Sequence, residues 1–230
     1  MLFSAAGVQF QDKRIEFSEW SHYKSKAPCR CLPYLEIDSA TKIPESMAIS
    51  RYLAREFGFH GRTNMDIFRV DYICDCFYDI FHDYMRWFHE KHGRFRTGCC
   101  PSLSSCIHHH DRDNDMKLRY IDTCRRILPF LEMTLGSFNG GKQYFMGEQI
   151  MLCDMMCYCC LEGPMRDNPS LMNGYPNLMA LRQRVSSHPK ISMYLKKRSH
   201  SDWNISDMSI SYCAFMNIST FTVFSAIGDH

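Results

Sequence analysis

From Asn64 onward the apolar residues recur every three or four positions, and before it they do not. Ile67, Val70, Cys74, Phe77, Phe81, Tyr84 and Phe88 form one such row, and Leu118, Ile121, Ile127, Leu131 and Leu135 form a second. That spacing returns to one face of a helix, so the larger part of the chain is predicted to be all-helical. Ahead of it the pattern is shorter and mixed. Residues 8–15 alternate at Val8 and Phe10, Leu32 to Asp38 reads as a second short strand, and residues 41–43 close a hairpin with it. Residues 46–57 then set Met47, Ile49 or Ser50, Leu53 and Phe57 on one face, with Gly58 and Gly61 as stop signals for a helix. The expected organisation is two-domain α+β, with an α/β unit over 1–61 and an all-α unit over 62–203.

Two segments stand outside this pattern. Residues 91–115, rich in Gly, Ser, Cys, His and Asp, carry no period and read as a long exposed loop between two helices. His108, His109, His110, Asp111, Asp113 and Asp115 are ligand types for a transition metal, but neighbours on a loop do not converge on one ion, so adventitious binding is the most expected. Residues 204–230 form an apolar tail without a charge from Met208 to Gly228. Its length suits a bilayer span, yet Asn217 and the many hydroxyls argue against one, and the tail is expected to be unstructured. Exposed, it would be an aggregation hazard.

The 230 residues are 45% apolar with a net charge of +2, so a large core is affordable and no electrostatic field favours nucleic acid or an anionic membrane. Sulfur is in excess, with 16 Met and 13 Cys. The start has no secretory pattern, which points to reduced thiols and a cytoplasmic protein. The cysteines do not form two paired CxxC units, so a structural zinc is not expected.

Trp20 and Lys24, Cys31-Leu-Pro-Tyr-Leu-Glu36 and Glu45-Ser-Met-Ala-Ile-Ser-Arg-Tyr-Leu53 resemble the glutathione site of the sigma-class cytosolic glutathione S-transferases. Arg51 to Gly61, Asp75 to Asp79, Cys124 to Phe130, Tyr144 to Gly147 and Asp154 to Cys159 resemble the S-crystallins of cephalopod lenses within that family. The resemblance covers about 2–203. It implies a thioredoxin-like amino-terminal domain, an all-α carboxy-terminal domain with an insertion at about 91–115, and a homodimer.

The resemblance also implies roles. Trp20, Lys24, Leu32, Pro33, Glu45 and Ser46 match groups that hold glutathione, and Asp75 matches a carboxylate that crosses the dimer to the γ-glutamyl ammonium. The chemistry is reasonable: an ammonium at Lys24 pairs with a carboxylate, the main chain at Leu32 before a cis Pro33 pairs with an extended peptide, and Ser46 offers a hydroxyl at a helix start. Each also has a plain structural reading: Trp20 and Pro33 as core and turn, Lys24 and Asp75 as surface charges, Ser46 as a helix cap.

Departures from the family pattern carry more weight. Its first strand and first half-helix, bearing the tyrosine that holds the thiolate, have no counterpart, and no tyrosine precedes Tyr23. A thiol of pKa about 8.5 is mostly protonated at neutral pH, so losing that hydroxyl removes the main means of activation; no catalytic residue is assigned, and Ser4 is not a substitute. Glu45 replaces glutamine, although some transferase classes carry Glu-Ser. The missing strand would leave residues 8–15 without an inner neighbour, at about 1–3 kcal/mol for each buried unpaired group. Met151 stands where relatives have a Ser or Thr cap, a loss of about 1 kcal/mol. The expected function is a refractive lens protein with little or no catalysis and vestigial glutathione binding. The alternatives are a glutathione-conjugating transferase, a prostaglandin D synthase-like isomerase, or an inactive glutathione binder.

Overall fold

Both ends of the chain build the sheet. The computed structural model describes residues 1–15, 19–37, 41–91, 104–137, 139–198 and 221–226, with backbone alone for Arg14, 104–112, 139 and 221–226. Helix α1 (Leu2–Ala6) ends on Gly7, whose φ of 78° lets its N–H reach back to the Phe3 carbonyl. Phe3 stacks on Phe10 at 4.8 Å and meets Phe57 edge-on at 5.6 Å, which fixes α1 against the first strand, β1 (Phe10–Ile15). A single-turn helix α2 (Trp20–Tyr23) leads to β2 (Tyr34–Ile37), which pairs antiparallel with β3 (Thr41–Pro44). Helix α3 (Ser46–Glu56) buries Ile49, Ser50, Leu53 and Ala54, the face that the apolar spacing selects.

The strand order is β1-β4-β2-β3, where β4 is Phe221–Ala226. Here the expectation of an unstructured tail is corrected for residues 221–226. β4 runs antiparallel to β1, from Phe10 opposite Ala226 to Ile15 opposite Phe221. On its other side it runs parallel to β2, from Tyr34 opposite Val223 to Ile37 opposite Ala226. Phe-Thr-Val-Phe-Ser-Ala has no charge, proline or glycine and is rich in β-formers. Two facing strand edges supply partners for its main-chain groups on both sides. The expected vacancy beside residues 8–15 is therefore filled, and by the far end of the chain. The rest of 204–230 lies outside the described residues, and among these no helix is long and apolar enough to cross a membrane.

The helical part consists of α4 (Asn64–Lys91), α5 (Ser104–Gly136), α6 (Leu152–Asp167), α7 (Pro176–Ser187) and α8 (Pro189–Lys197). At 28 residues α4 is about 42 Å long, and its row Val70, Ile73, Cys74, Phe77, Ile80, Phe81, Tyr84 and Phe88 is buried. α5 packs Ile127, Leu128, Leu131 and Leu135 into the same core. A polar clasp joins the two helices: buried Asp83 accepts Thr123 Oγ1 at 2.8 Å and Arg119 Nε at 3.1 Å. Burial opposes its ionisation, but these donors outweigh burial and hold its carboxyl below the ordinary range. α6 runs through the middle, with Cys153, Met155, Met156, Cys157 and Cys160 buried, so much of the sulfur fills the core.

The loop expected over 91–115 is shorter than its composition suggests. α4 continues to Lys91 and α5 already begins at Ser104. Residues 104–115 contain no glycine or proline. Once packing has nucleated α5, each such residue adds a helical hydrogen bond without a new nucleus. Residues 92–103 and the side chains of His108 to Asp111 lie outside the described residues.

Candidate functional site

The ladder between β2 and β3 places two of the expected site residues side by side. Tyr34 faces Pro44, so Pro33 and Glu45 flank the same end of the hairpin. The Leu32–Pro33 peptide is cis. Glu45 has φ 72° and ψ 111°, a left-handed conformation that costs a non-glycine residue about 1–3 kcal/mol. It sits immediately before Ser46, the first residue of α3, and its carbonyl accepts the Ile49 N–H at 2.9 Å. An outlier held at a hairpin-to-helix junction marks a place where the fold fixes backbone direction. Ser46 itself is half-buried, and its carbonyl takes the Ser50 hydroxyl at 2.8 Å.

Trp20 and Leu32 meet in a small apolar cluster with Ile15, Ala27 and Tyr34, against which Tyr23 also packs. Lys24 follows at the end of α2, exposed. Three further ammonium groups gather around this cluster. Lys13 and Lys26 lie 5.0 and 5.7 Å from the Tyr23 ring centre, and Lys42 lies 5.3 Å from that of Tyr34. These positions are far apart in sequence, so no spacing signal reveals them. The corner can receive the carboxylates of an anionic peptide, while Leu32 and Pro33 at the start of β2 are buried.

Asp75 belongs to a different cluster. It is exposed on α4 and accepts Arg51 Nη2 from α3. Arg51 Nε donates to Asp71 Oδ1 at 2.8 Å, and the same oxygen is 3.0 Å from Nε2 of buried His60. Burial lowers the His60 pKa against the opposing pull of Asp71. The signal for this grouping was readable: Asp71 and Asp75 are four apart, on one face of a helix. Arg51→Gln is expected to lower stability by about 1–2 kcal/mol through loss of charge-assisted bonds, measured as a lower urea midpoint; an unchanged midpoint would show that the clasp does not hold α3 to α4.

Residues 1–55 match the model for the glutathione S-transferase N-terminal domain, and residues 102–198 match that for the C-terminal domain. S-crystallin SL20-1 of Nototodarus sloanii is 57% identical over 203 residues, covering 88% of this chain and 91% of that protein. The chain belongs to the S-crystallins of the glutathione S-transferase family. S-crystallin 4 of Enteroctopus dofleini is 53% identical over the same length, with 88% and 91% coverage. Among solved structures, the glutathione S-transferase of Ascaris lumbricoides superposes with a TM-score of 0.70 at 27% identity, over 86% of this chain and 89% of that one. The prostaglandin synthase D of Nilaparvata lugens gives 0.68 at 24% identity, over 86% and 89%, which shows a shared fold. The S-crystallin fold thus comprises the two-domain transferase architecture, with a thioredoxin-like first part.

Thiol chemistry finds little support in this S-crystallin's core. Burial pushes the Cys124 and Cys159 thiols up to about 11 and that of Cys157 up to about 12, and it raises those of Cys74, Cys153 and Cys160 well above the ordinary thiol range. A thiol held protonated is a poor nucleophile.

Proposed function

We propose that this S-crystallin is a structural constituent of the eye lens, derived from a sigma-class glutathione S-transferase and carrying little or no catalysis. The likeness to S-crystallins supports the lens role, as does the composition: 29 sulfur-bearing and 31 aromatic residues are polarizable matter, which raises refractive index. The observation that carries the loss of catalysis is the occupant of the sheet's inner position. The family's strand with the thiolate-holding tyrosine belongs at an interior position, and here β4 fills the interior with Phe-Thr-Val-Phe-Ser-Ala, which contains no tyrosine.

In this reading residues 1–61 form the glutathione-binding domain, 62–203 the helical domain, and Trp20, Lys24, Leu32, Pro33, Glu45 and Ser46 a vestigial glutathione site. Asp75 serves that site from the partner subunit. The protein is cytoplasmic and a homodimer, with neither nucleic acid nor membrane as a partner. A second copy has an apolar surface to cover: Met65, Phe68, Phe130 and Met133 are exposed on α4 and α5, bridged by Tyr72, whose ring is 5.5 Å from that of Phe68 and 6.2 Å from that of Phe130.

The test is turnover of glutathione with 1-chloro-2,4-dinitrobenzene by the folded protein, with glutathione binding followed by calorimetry. A rate no greater than the uncatalysed one is expected, with weak or no binding. Saturable turnover would overturn the reading in favour of a working transferase; saturable isomerisation of a prostaglandin endoperoxide would favour the synthase alternative.

A further inference from the structure

β1 and β2 share no ladder. Their facing edges are joined by β4, six residues paired on one side and four on the other. Without it the sheet divides into a lone strand and a two-stranded hairpin, and the facing edges of both lose their ladder partners. The other three strands come from residues 10–44, whereas β4 follows the entire helical part. Between Arg198 and Phe221 the connecting chain can span up to about 70 Å. The register of the segment in the slot is fixed by main-chain pairing on both sides.

We propose that the gap between β1 and β2 is a strand-acceptor site whose ligand class is an extended, uncharged, β-forming peptide, and that residues 221–226 occupy it in cis as an exchangeable ligand. Peptides that add to a sheet usually meet one edge and are bonded along one side. This slot bonds both sides, and residues 221–226 lie in it parallel to β2 and antiparallel to β1. The slot selects against proline, which removes a donor wherever it falls in a central strand. Covalent connection to the same chain raises the local concentration of the segment over that of a free peptide. The slot is then normally closed to other peptides, and the amino-terminal sheet is complete only while the carboxy-terminal segment is in place.

The experiment uses the full chain with a protease site introduced between residues 199 and 220, cut after folding, and a fluorescent synthetic peptide of residues 219–228. The cut protein is expected to retain its fragment through gel filtration and to exchange it for excess labelled peptide. The uncut protein should exclude the peptide, and a peptide with Val223→Pro should not exchange. Release of the fragment with undiminished amide-exchange protection of residues 10–15 and 34–37 would overturn the proposal, as would equal binding of peptide by cut and uncut protein. A fragment shared between two copies of the chain would overturn the cis assignment. A second measurement does not depend on cutting: in full-length Val223→Pro, amide protection should fall across residues 10–15 and 34–37 while α4 and α6 stay protected. Unchanged protection in β1 and β2 would contradict the role of β4.

Discussion

Replacing Asp154 by alanine is expected to lower the unfolding free energy at pH 4 by about 3 kcal/mol. Asp154 is fully buried in the first turn of α6, where its carboxyl accepts the Met151 N–H at 2.7 Å and the Phe145 N–H at 2.9 Å. Both donors lie inside the core, and a buried orphaned donor costs about 1–3 kcal/mol. Burial raises the Asp154 pKa, the two backbone donors pull it back, and the balance leaves it at about 7. The sign of the pH effect follows. Below the unfolded value of 3.8 the group is neutral in both states, and its contribution to stability is fully present. As pH rises towards 7 the unfolded chain releases this proton and the folded one resists, so the contribution is lost at up to about 1.4 kcal/mol per pH unit. His60, with its lowered pKa, acts oppositely by costing stability as pH falls below its unfolded range. Comparison of Asp154→Asn with the unaltered protein isolates the Asp154 part: their difference in urea stability should shrink from pH 4 to pH 7. A difference independent of pH would contradict a buried, titrating carboxyl.

The second large effect is expected at Phe77. Its ring has no exposure, sits at the middle of α4 and meets Phe145 edge-on with centroids 6.1 Å apart. Phe77→Ala removes an entire buried ring and leaves a cavity, a change that costs about 3–5 kcal/mol. Phe145 is also the residue whose N–H Asp154 accepts, so the two sites share a partner. The double variant Phe77→Ala, Asp154→Ala should lose less than the sum of the single losses, because the first already loosens what the second unties. Equilibrium urea unfolding reads both; a loss below about 1 kcal/mol for Phe77→Ala would show that this junction is not closely packed.

The helical part was legible because its signal is local. The rows through α4 and α5 and the face of α3 come from apolar spacing, which burial alone rewards, and the β2–β3 hairpin joins neighbours in sequence. Strand β4 was not legible, although its composition is that of a strand. Its partners are some two hundred residues away, and nothing local distinguishes a segment awaiting a slot from an unstructured tail. The helix over 104–115 was missed for another reason: its polar residues carry no period, and its helicity is borrowed from the packed part of α5. At α6, reading Met151 as a lost cap saw half of the arrangement, because the reciprocal half survives in the bond from the Met151 N–H to Asp154. In the candidate site, Pro33 and Glu45 were found through resemblance and brought together by register. The lysines at 13, 26 and 42 became visible only once the strands and helices were in place, whereas the Arg51 clasp left a local trace in the four-residue spacing of Asp71 and Asp75.

The amount of this chain in lens extract, measured against digestive gland by quantitative mass spectrometry of peptides from residues 62–203, tests the lens role most directly. A lens protein of this composition should stand among the abundant soluble components of the lens and be scarce in digestive gland. The reverse distribution, with enzyme-like amounts concentrated in digestive gland, would contradict it.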